Sequence, residues 1–204
     1  MNITNEILEP DSFYHIYNRG INSCKIFESE ENYLFFLEKF LKYMNGVADV
    51  YAYCLMPNHF HFLVKIKSES EIKSFVKVQN FDKATAEKGL HSLDSVISKQ
   101  MGKFISSYTQ AYNKVTNRHG ALMESPFKRK RIDSEEYLKN LIIYIHLNPL
   151  DLKINFEDYK FSSYKTVLSD AKTNLKRQES ISIFEDIENL IHCHKNPPKL
   201  DFKF

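Results

Sequence analysis

The segment VADVYAYCLMPNHFHFLVKI, residues 47–66, decides the fold of this chain. Its two halves, 47–55 and 59–66, are rich in β-branched and aromatic residues, which favour strands. The Met-Pro-Asn between them predicts a turn, so we expect a β-hairpin. Because side chains alternate between the faces of a strand, His59 and His61 share one face and the neighbouring phenylalanines share the other, which faces the core.

Outward from the hairpin, hydrophobic periodicity and capping residues predict the remaining elements. The order is strand, helix, strand, strand, helix, strand, and then one further helix. This order is typical of an α+β, ferredoxin-like split β-α-β sandwich, with a four-stranded antiparallel sheet and helices on one face. The added elements are a strand over 13–18, helices over 29–45 and 99–117, a strand over 126–132 and a helix over 134–147.

The same patterns suggest how the chain is divided. We expect a core over residues 1–150 and a C-terminal extension over 151–204. Residues 67–98 are polar and weakly patterned, which predicts a mobile insertion with at most a short helix.

Composition limits the class of protein. A chain of 204 residues suits one compact domain with an appendage, and is too short for an α/β barrel of about 250 residues. The net charge of +2 excludes a bulk polycation, so any nucleic-acid site must come from local clustering. The three cysteines, Cys24, Cys54 and Cys193, are odd in number and far apart, which favours reduced thiols in a soluble, cytoplasmic protein without a membrane segment.

The histidine pair is the first candidate site. Two imidazoles on one rigid strand face, at positions 59 and 61, can bind one divalent cation. In an arbitrary sequence, the pattern indicates two strand histidines without a ligand more often than a metal site. The neighbouring residues change that balance.

Four short segments resemble one known family. The segment LMPNHFHFLV (55–64) resembles the His-hydrophobe-His motif of the single-tyrosine HUH transposases. FYHIYNRG (13–20), YIHLNP (144–149) and FSSY (161–164) match further segments of that family in the same order, so the resemblance covers roughly residues 13–165. Within the family, the branch of REP-associated tyrosine transposases is the closer match to this chain, ahead of the single-strand insertion-sequence transposases.

The resemblance implies a catalytic tyrosine and a metal site. Tyr144 occupies the nucleophile position, and His59, His61 and Asn148 would bind Mg²⁺ or Mn²⁺. Asn148 lies one helical turn after Tyr144, on the same face, where it could instead cap the end of the helix. Tyr144 also has an alternative interpretation, as a core residue of an amphipathic helix.

Two other tyrosines are the second choice. Tyr108 and Tyr112 are four residues apart on the helix predicted over 99–117. An aromatic stripe at this spacing is more often core packing, but it could also supply a nucleophile or a surface on which bases stack.

Basic residues form the candidate DNA surface. Around residues 113–131 they outnumber the single acid, Glu124, and a further arginine follows the first strand. Part of this run is expected to be a solvated strand edge, and the functional alternative is a phosphate track that leads to the metal. The candidates are Arg19, Lys114, Arg118, Lys128, Arg129, Lys130 and Arg131.

Two functions remain at this point. The first is a metal-dependent single-stranded DNA endonuclease and strand transferase that acts on hairpin DNA through a covalent 5′-phosphotyrosine, as the resemblance implies. The second is a domesticated nucleic-acid-binding module that no longer cuts. A small-molecule metallohydrolase is disfavoured by the short chain and by the lack of a suitable acid near His59. The sequence leaves open whether Tyr144 meets the histidines of its own chain or those of a homodimer partner.

Overall fold

The computed structural model describes residues 6–78, 92–200 and 202. Within these ranges the sheet has four strands, in the spatial order β2-β3-β1-β4, and each neighbouring pair is antiparallel. This confirms the predicted α+β fold with a four-stranded antiparallel sheet. The strands are β1 (Phe13–Arg19), β2 (Ala48–Met56), β3 (His59–Ile66) and β4 (Lys128–Ile132).

The helices are those of an α+β sandwich with a helical C-terminal segment. No helix in the described ranges combines the length and the apolar character that crossing a bilayer requires. The helices are α1 (Glu30–Met44), α2 (Glu69–Val78), α3 (Leu93–Thr116), α4 (Glu135–Leu147), α5 (Tyr164–Leu168), α6 (Arg177–Ser182) and α7 (Ile187–Lys195).

The register of the central strand β3 sets which side chains become neighbours. His61 lies opposite Cys54 of β2 and opposite Tyr17 of β1. His59 lies opposite Arg19 at the end of β1. Directly opposed residues share a face of the sheet, so Tyr17 and Arg19 join the two histidines on one side.

An aromatic core fills the other side of the sheet. Phe40 of α1 stacks on Phe62 of β3, with ring centroids 3.9 Å apart. Phe36 meets Phe60 at 5.1 Å and Phe104 of α3 at 4.7 Å. All five rings are almost fully buried. The face of β3 that carries Phe60 and Phe62 therefore holds α1 and α3 in place.

Helix α4 lies on the opposite face, so the helices cover both faces of the sheet and not the single face expected from the sequence. It packs against β2 and β3, and its Tyr144 ring meets the ring of His61. The helix is apolar nearly all round because it also contacts α7 on its far side. Its buried apolar residues are Leu138, Leu141, Ile142, Ile143 and Ile145.

Side chains set both ends of α4. At the start, the Ser134 hydroxyl accepts a hydrogen bond from the Tyr137 backbone N–H at 3.2 Å. At the end, Pro149 stops the α-helix as predicted, yet Asn148 before it keeps a right-handed helical backbone, with φ −48° and ψ −36°. The chain continues as a 3₁₀ turn over Asn148–Leu152. Asn148 is therefore held rigidly one turn beyond Tyr144.

The segment predicted to be a mobile insertion, residues 67–98, contains helix α2 and the start of α3 in its described parts. Residues 79–91 lie outside the described residues. Before them, α2 buries Ile72 and Val76, and its Phe75 packs so closely on Gly46 that a Cβ there would lie 2.2 Å from the ring. After them, α3 begins at Leu93, six residues earlier than expected. Three apolar residues in a polar sequence are enough to fix α2, because they share one face.

The described part of the C-terminal segment, residues 151–200, packs along the outer edge of β2. The backbone N–H of Leu55 donates to the carbonyl of Phe161 at 2.9 Å. Further along the strand, the N–H of Lys176 donates to the carbonyl of Val50 at 2.8 Å. Residues of this segment belong to the same hydrophobic core as the sheet.

A buried chain of hydrogen bonds joins α4, α7 and β2. His146 Nδ1 lies 2.8 Å from His194 Nε2, and His146 Nε2 lies 2.7 Å from the Ser163 hydroxyl. The ends are anchored on backbone groups, since His194 Nδ1 donates to the Leu190 carbonyl and the Ser163 hydroxyl accepts from the Tyr53 N–H. Because a carbonyl can only accept, both imidazoles carry their proton on Nδ1.

The buried hydrogen bonds of His146 and His194 predict that the protein loses stability in mild acid. Burial lowers the pKa of His194 to about 4 and holds the pKa of His146 well below its usual value. The unfolded chain takes up these protons near pH 6.5 and the folded chain does not, so the free energy of unfolding falls as the pH falls from about 6.5 toward 4.

The variant His194→Leu should be less stable than the wild type at pH 7, because it leaves His146 without its partner. Between pH 6.5 and 5, the free energy of unfolding of the variant should fall less steeply with falling pH than that of the wild type, by up to about 1.4 kcal/mol per pH unit. Urea unfolding at pH 7, 6 and 5 measures both effects. Parallel pH profiles for the two proteins would contradict the prediction.

Candidate functional site

Strand β3 presents His59 and His61 together on the face that α4 covers. The two ring centroids are 5.1 Å apart and the ring planes are nearly perpendicular. His61 is 4% exposed, while His59 is half-buried at the end of the strand. The pair lies at a boundary between the interior and an open cavity.

The Nδ1 atom of each histidine is already engaged. His59 Nδ1 donates to the Asn58 side-chain oxygen at 2.7 Å. His61 Nδ1 lies 2.8 Å from Nε2 of His15, in a fully buried hydrogen bond. Nε2 is therefore the nitrogen through which each ring could bind a ligand in the cavity that both rings line.

Helix α4 places Tyr144 across from this pair. Its ring centroid lies 5.6 Å from that of His61, edge to face, and Phe202 lies 4.9 Å from Tyr144. The Asn148 side chain, one turn on, donates to the Tyr144 carbonyl at 2.8 Å. The same amide raises the pKa of His59 and lowers that of the Tyr144 phenol, in both cases against the larger effect of burial. Asn148 thus caps the helix and acts on both the imidazole and the phenol.

Burial determines the charge of these groups. It raises the pKa of Tyr144 to about 12, against the opposing effect of the Asn148 hydrogen bond. It lowers the pKa of His59 and, helped by the nearby His15, puts the pKa of His61 well below its usual value. At neutral pH the site therefore holds neutral imidazoles, which can bind a metal, and a protonated phenol.

His59, His61 and Tyr144 open onto one cavity of about 230 Å³, while Asn148 is buried beside it and does not line it. The cavity adds residues that sequence reasoning did not select, because their proximity depends on how β1 pairs with β3. The alternation of β1 carries the signal once that register is known, since Tyr17 is paired with His61. The lining residues are Tyr17, Asn18, Arg19, Asn58, His59, His61, Lys128 and Tyr144.

The donor set fits a hard divalent cation. In the parts of the chain that the structure describes, no three His, Cys, Asp or Glu side chains come together to hold a metal. A cation here would be held by Nε2 of His59 and of His61 and by the amide oxygen of Asn148. Oxygen ligands from outside the chain would complete the set, which suits Mg²⁺ or Mn²⁺ because these ions readily bind substrate phosphates.

Two of the basic candidates reach the cavity. Arg19 and Lys128 both line it, and both form ion pairs with Glu124, at 3.7 and 3.3 Å. The pairs are partly exposed, so each contributes little to stability. The positive charges of Arg19 and Lys128 therefore lie at the rim of the cavity that His59 also lines.

The other basic residues have different surroundings. Arg129 is buried, where its guanidinium forms an ion pair with Asp94 at 3.5 Å and donates to the Ser98 hydroxyl at 3.0 Å. Arg131 forms an ion pair with Glu9. The Lys130 ammonium lies 4.8 Å from the centroid of the Tyr137 ring. The Arg118 guanidinium donates to the Asn113 side-chain oxygen, and Lys114 is exposed on α3.

Tyr108 and Tyr112 lie in the aromatic core between α1 and α3. Tyr108 meets Phe36 edge to face at 4.9 Å, on the side of the sheet away from the histidine pair, and its hydroxyl donates to the Ile26 carbonyl. The Tyr112 hydroxyl donates to the Glu28 carboxylate at 3.1 Å. The structure does not bring either phenol together with His59 and His61.

Comparison with known proteins gives a structural relative. No protein-family profile and no curated protein sequence matches this chain. Among solved structures, a REP-associated tyrosine transposase bound to a REP hairpin matches with a TM-score of 0.55 and 11% identity, over 83% of this chain and 87% of that chain. The two proteins therefore share a fold.

Two weaker structural matches are complexes of a bacterial tRNA(His) guanylyltransferase-like protein. The GTP complex has a TM-score of 0.40 and 12% identity, over 78% of this chain and 74% of that chain. The ATP complex has a TM-score of 0.39 and 12% identity, over 92% and 73%.

The different surroundings of adjacent basic residues give a stability prediction. Arg129→Ala should lower the free energy of unfolding by about 2–4 kcal/mol, because it leaves Asp94 and the Glu6 carbonyl without their buried partner. Lys128→Ala should change the free energy of unfolding by no more than about 0.5 kcal/mol, because its ion pair is partly exposed. Urea unfolding of the two variants at pH 7 makes the comparison. Equal losses for both would contradict it.

Proposed function

We propose that this protein is a metal-dependent, single-tyrosine DNA endonuclease and strand transferase that acts on single-stranded or hairpin DNA. The observation that carries the proposal is one cavity that holds the Tyr144 phenol, the His59–His61 pair and two rim cations. The fold supports it, because the solved relative is a tyrosine transposase bound to a REP hairpin. In this proposal, all these groups come from one chain.

The proposed metal ligands are His59, His61 and Asn148. When bound, a Mg²⁺ or Mn²⁺ ion supplies positive charge to the scissile phosphate and makes its phosphorus more electrophilic. The neutral imidazoles bind without first losing a proton, since burial keeps the pKa of both below its usual value. The two rings, set nearly at right angles, line the same cavity, which supports their proposed role as a ligand pair.

Tyr144 is the proposed nucleophile. Its phenolic oxygen attacks the phosphorus, the bond to the 3′-oxygen breaks, the phenol gives up its proton and the leaving 3′-oxygen takes one up. The products are a 5′-phosphotyrosine and a free 3′-hydroxyl. Because the covalent link keeps the energy of the phosphodiester, a second 3′-hydroxyl can reverse the step and join two strands without a nucleotide cofactor.

The protonated phenol is the main barrier to this step. With the pKa of Tyr144 raised to about 12, only about one molecule in 10⁵ holds the phenolate at pH 7. The hydrogen bond from Asn148 stabilises the phenolate and so reduces this barrier. Asn148 thus has two proposed roles, as a ligand through its oxygen and as a donor through its nitrogen.

Arg19 and Lys128 are the proposed phosphate contacts. Both are partly exposed at the rim of the cavity, and both hold the Glu124 carboxylate at 3.3–3.7 Å. A carboxylate and a phosphate are recognised by the same donors. A DNA phosphate would therefore compete with Glu124 for this pair of cations.

A catalytically silent nucleic-acid-binding module is the second candidate. The observation that favours it is the neutral ligand set, since no acid joins His59 and His61 among the described residues. The two candidates differ in one result. Only the enzyme forms a covalent adduct, in the presence of Mn²⁺, with a labelled hairpin that carries a single-stranded flank.

We expect Tyr144→Phe to abolish that adduct, by at least about a thousandfold, because the nucleophilic oxygen is removed. Hairpin binding should change little, since the ring remains. Denaturing gels after incubation with Mn²⁺ or EDTA measure the adduct, and a mobility-shift assay measures binding.

Tyr112→Phe is the matched control, and it should form the adduct at the wild-type level. An adduct that persists in Tyr144→Phe and disappears in Tyr112→Phe would overturn the assignment of the nucleophile. A wild-type chain that binds the hairpin but never forms an adduct would favour the silent module.

Lys128→Ala should weaken hairpin binding and make it less sensitive to salt. Loss of one phosphate contact reduces the slope of log K against log[salt] by about 0.7 for a single strand. Fluorescence anisotropy at roughly 50–300 mM salt, where phosphate contacts weaken, measures the slope. Lys73→Ala, on α2 and paired with Glu69, is the control and should match the wild type. An unchanged slope in Lys128→Ala would exclude the contact.

A further inference from the structure

We infer that His15 is a positioning residue of the metal site: it accepts a hydrogen bond from Nδ1 of His61 and so leaves the lone pair of His61 Nε2 facing the cavity. The inference rests on the proposed function for its purpose, but the hydrogen bond itself can be tested separately.

The position of His15 follows from the alternation of β1. It lies two residues before Tyr17, which is paired with His61, so its side chain is on the same face. The His15 and His61 rings are stacked at 5.0 Å with planes 19° apart, and Tyr17 stacks on His15 at 4.6 Å. His15 is fully buried and His61 is 4% exposed. Water therefore cannot replace this hydrogen bond, and the neighbouring rings keep it in place.

The 2.8 Å contact between the two imidazoles has only two arrangements. A neutral imidazole carries one N–H, so one ring must donate and the other must accept. If His15 donated, the His61 proton would lie on Nε2 and would block a cation. If His61 donates from Nδ1, its Nε2 carries the lone pair that a metal needs.

The second histidine of the pair shows the same arrangement. The Asn58 side-chain oxygen can only accept, so His59 carries its proton on Nδ1. The Asn58 amide nitrogen faces the Ser23 carbonyl at 3.5 Å, which agrees with this orientation of the amide. The two proposed ligands would then present the same nitrogen, each held by its own acceptor outside the ligand set.

Two variants separate an acceptor from a residue that only fills space. His15→Phe keeps a buried ring and removes the acceptor, and it should weaken Mn²⁺ binding about 10–100-fold. His15→Gln places an amide oxygen near the former Nε2 and should restore most of the affinity. The readout is the Mn²⁺ dissociation constant of the purified chain without DNA, from the electron paramagnetic resonance signal of free Mn²⁺.

The chain contains a matched control. His194→Phe breaks another buried 2.8 Å bond between two imidazoles, neither of which lines the cavity. This variant should lose stability as His15→Phe does, but it should bind Mn²⁺ like the wild type. A loss of Mn²⁺ affinity that is equal in both variants would show a general effect of destabilisation and would overturn the inference.

Nitrogen-15 NMR of the metal-free protein gives a readout that does not depend on metal binding. We expect His61 to carry its proton on Nδ1 in the wild type and in His15→Gln, and to lose this preference in His15→Phe. A wild-type His61 protonated on Nε2 overturns the inference, even if His15→Phe does not fold. If the wild type binds Mn²⁺ and His15→Phe binds it equally well, the inference is wrong and the proposed function stands. If the wild type binds no Mn²⁺, the proposed metal site fails, and the NMR result still decides the direction of the hydrogen bond.

Discussion

The alternation of side chains along β3 is the constraint on which the rest of the structure depends. One face of this strand carries Phe60 and Phe62, which anchor α1 and α3 through stacked and edge-to-face rings. The other face carries His59 and His61, which α4 covers. A shift of one residue in register would exchange the two faces and bury imidazoles among phenylalanines. The core therefore fixes the register, and the register fixes the histidine pair.

The position of the phenol depends on a different set of contacts. Helix α4 packs against β2 and β3, and a buried line of hydrogen bonds from Ser163 through His146 to His194 also ties it to the C-terminal segment. These groups lie on the far side of α4 from Tyr144, two residues along the helix. The segment after residue 150 thus does more than extend the core, because it holds the helix that presents the phenol.

The sequence predicted the sheet and most of the site, because these depend on local patterns. Alternation gave the hairpin and the shared face of His59 and His61, and helical spacing put Asn148 one turn after Tyr144. The resemblance added a role for these residues, which local patterns cannot supply. The placement of α4 on the second face was missed, because a helix that is apolar nearly all round does not indicate which neighbour it will meet. His15 and Tyr17 were missed for a related reason, since their distance from His61 depends on the pairing of strands that are more than 40 residues apart in the chain.

The covering of β2 has a consequence for how copies of this protein meet. An exposed edge strand can pair with the same strand of another molecule, which promotes aggregation and strand exchange. Here the backbone groups of Val50 and Leu55 are already bonded to residues of the C-terminal segment. On the opposite edge, the backbone N–H of Arg131 donates to the Glu6 carboxylate, and the four consecutive basic residues 128–131 make β4 a poor template. The part of the β2 edge that the C-terminal segment covers is thereby closed to strand addition, so copies of this protein cannot pair through these residues.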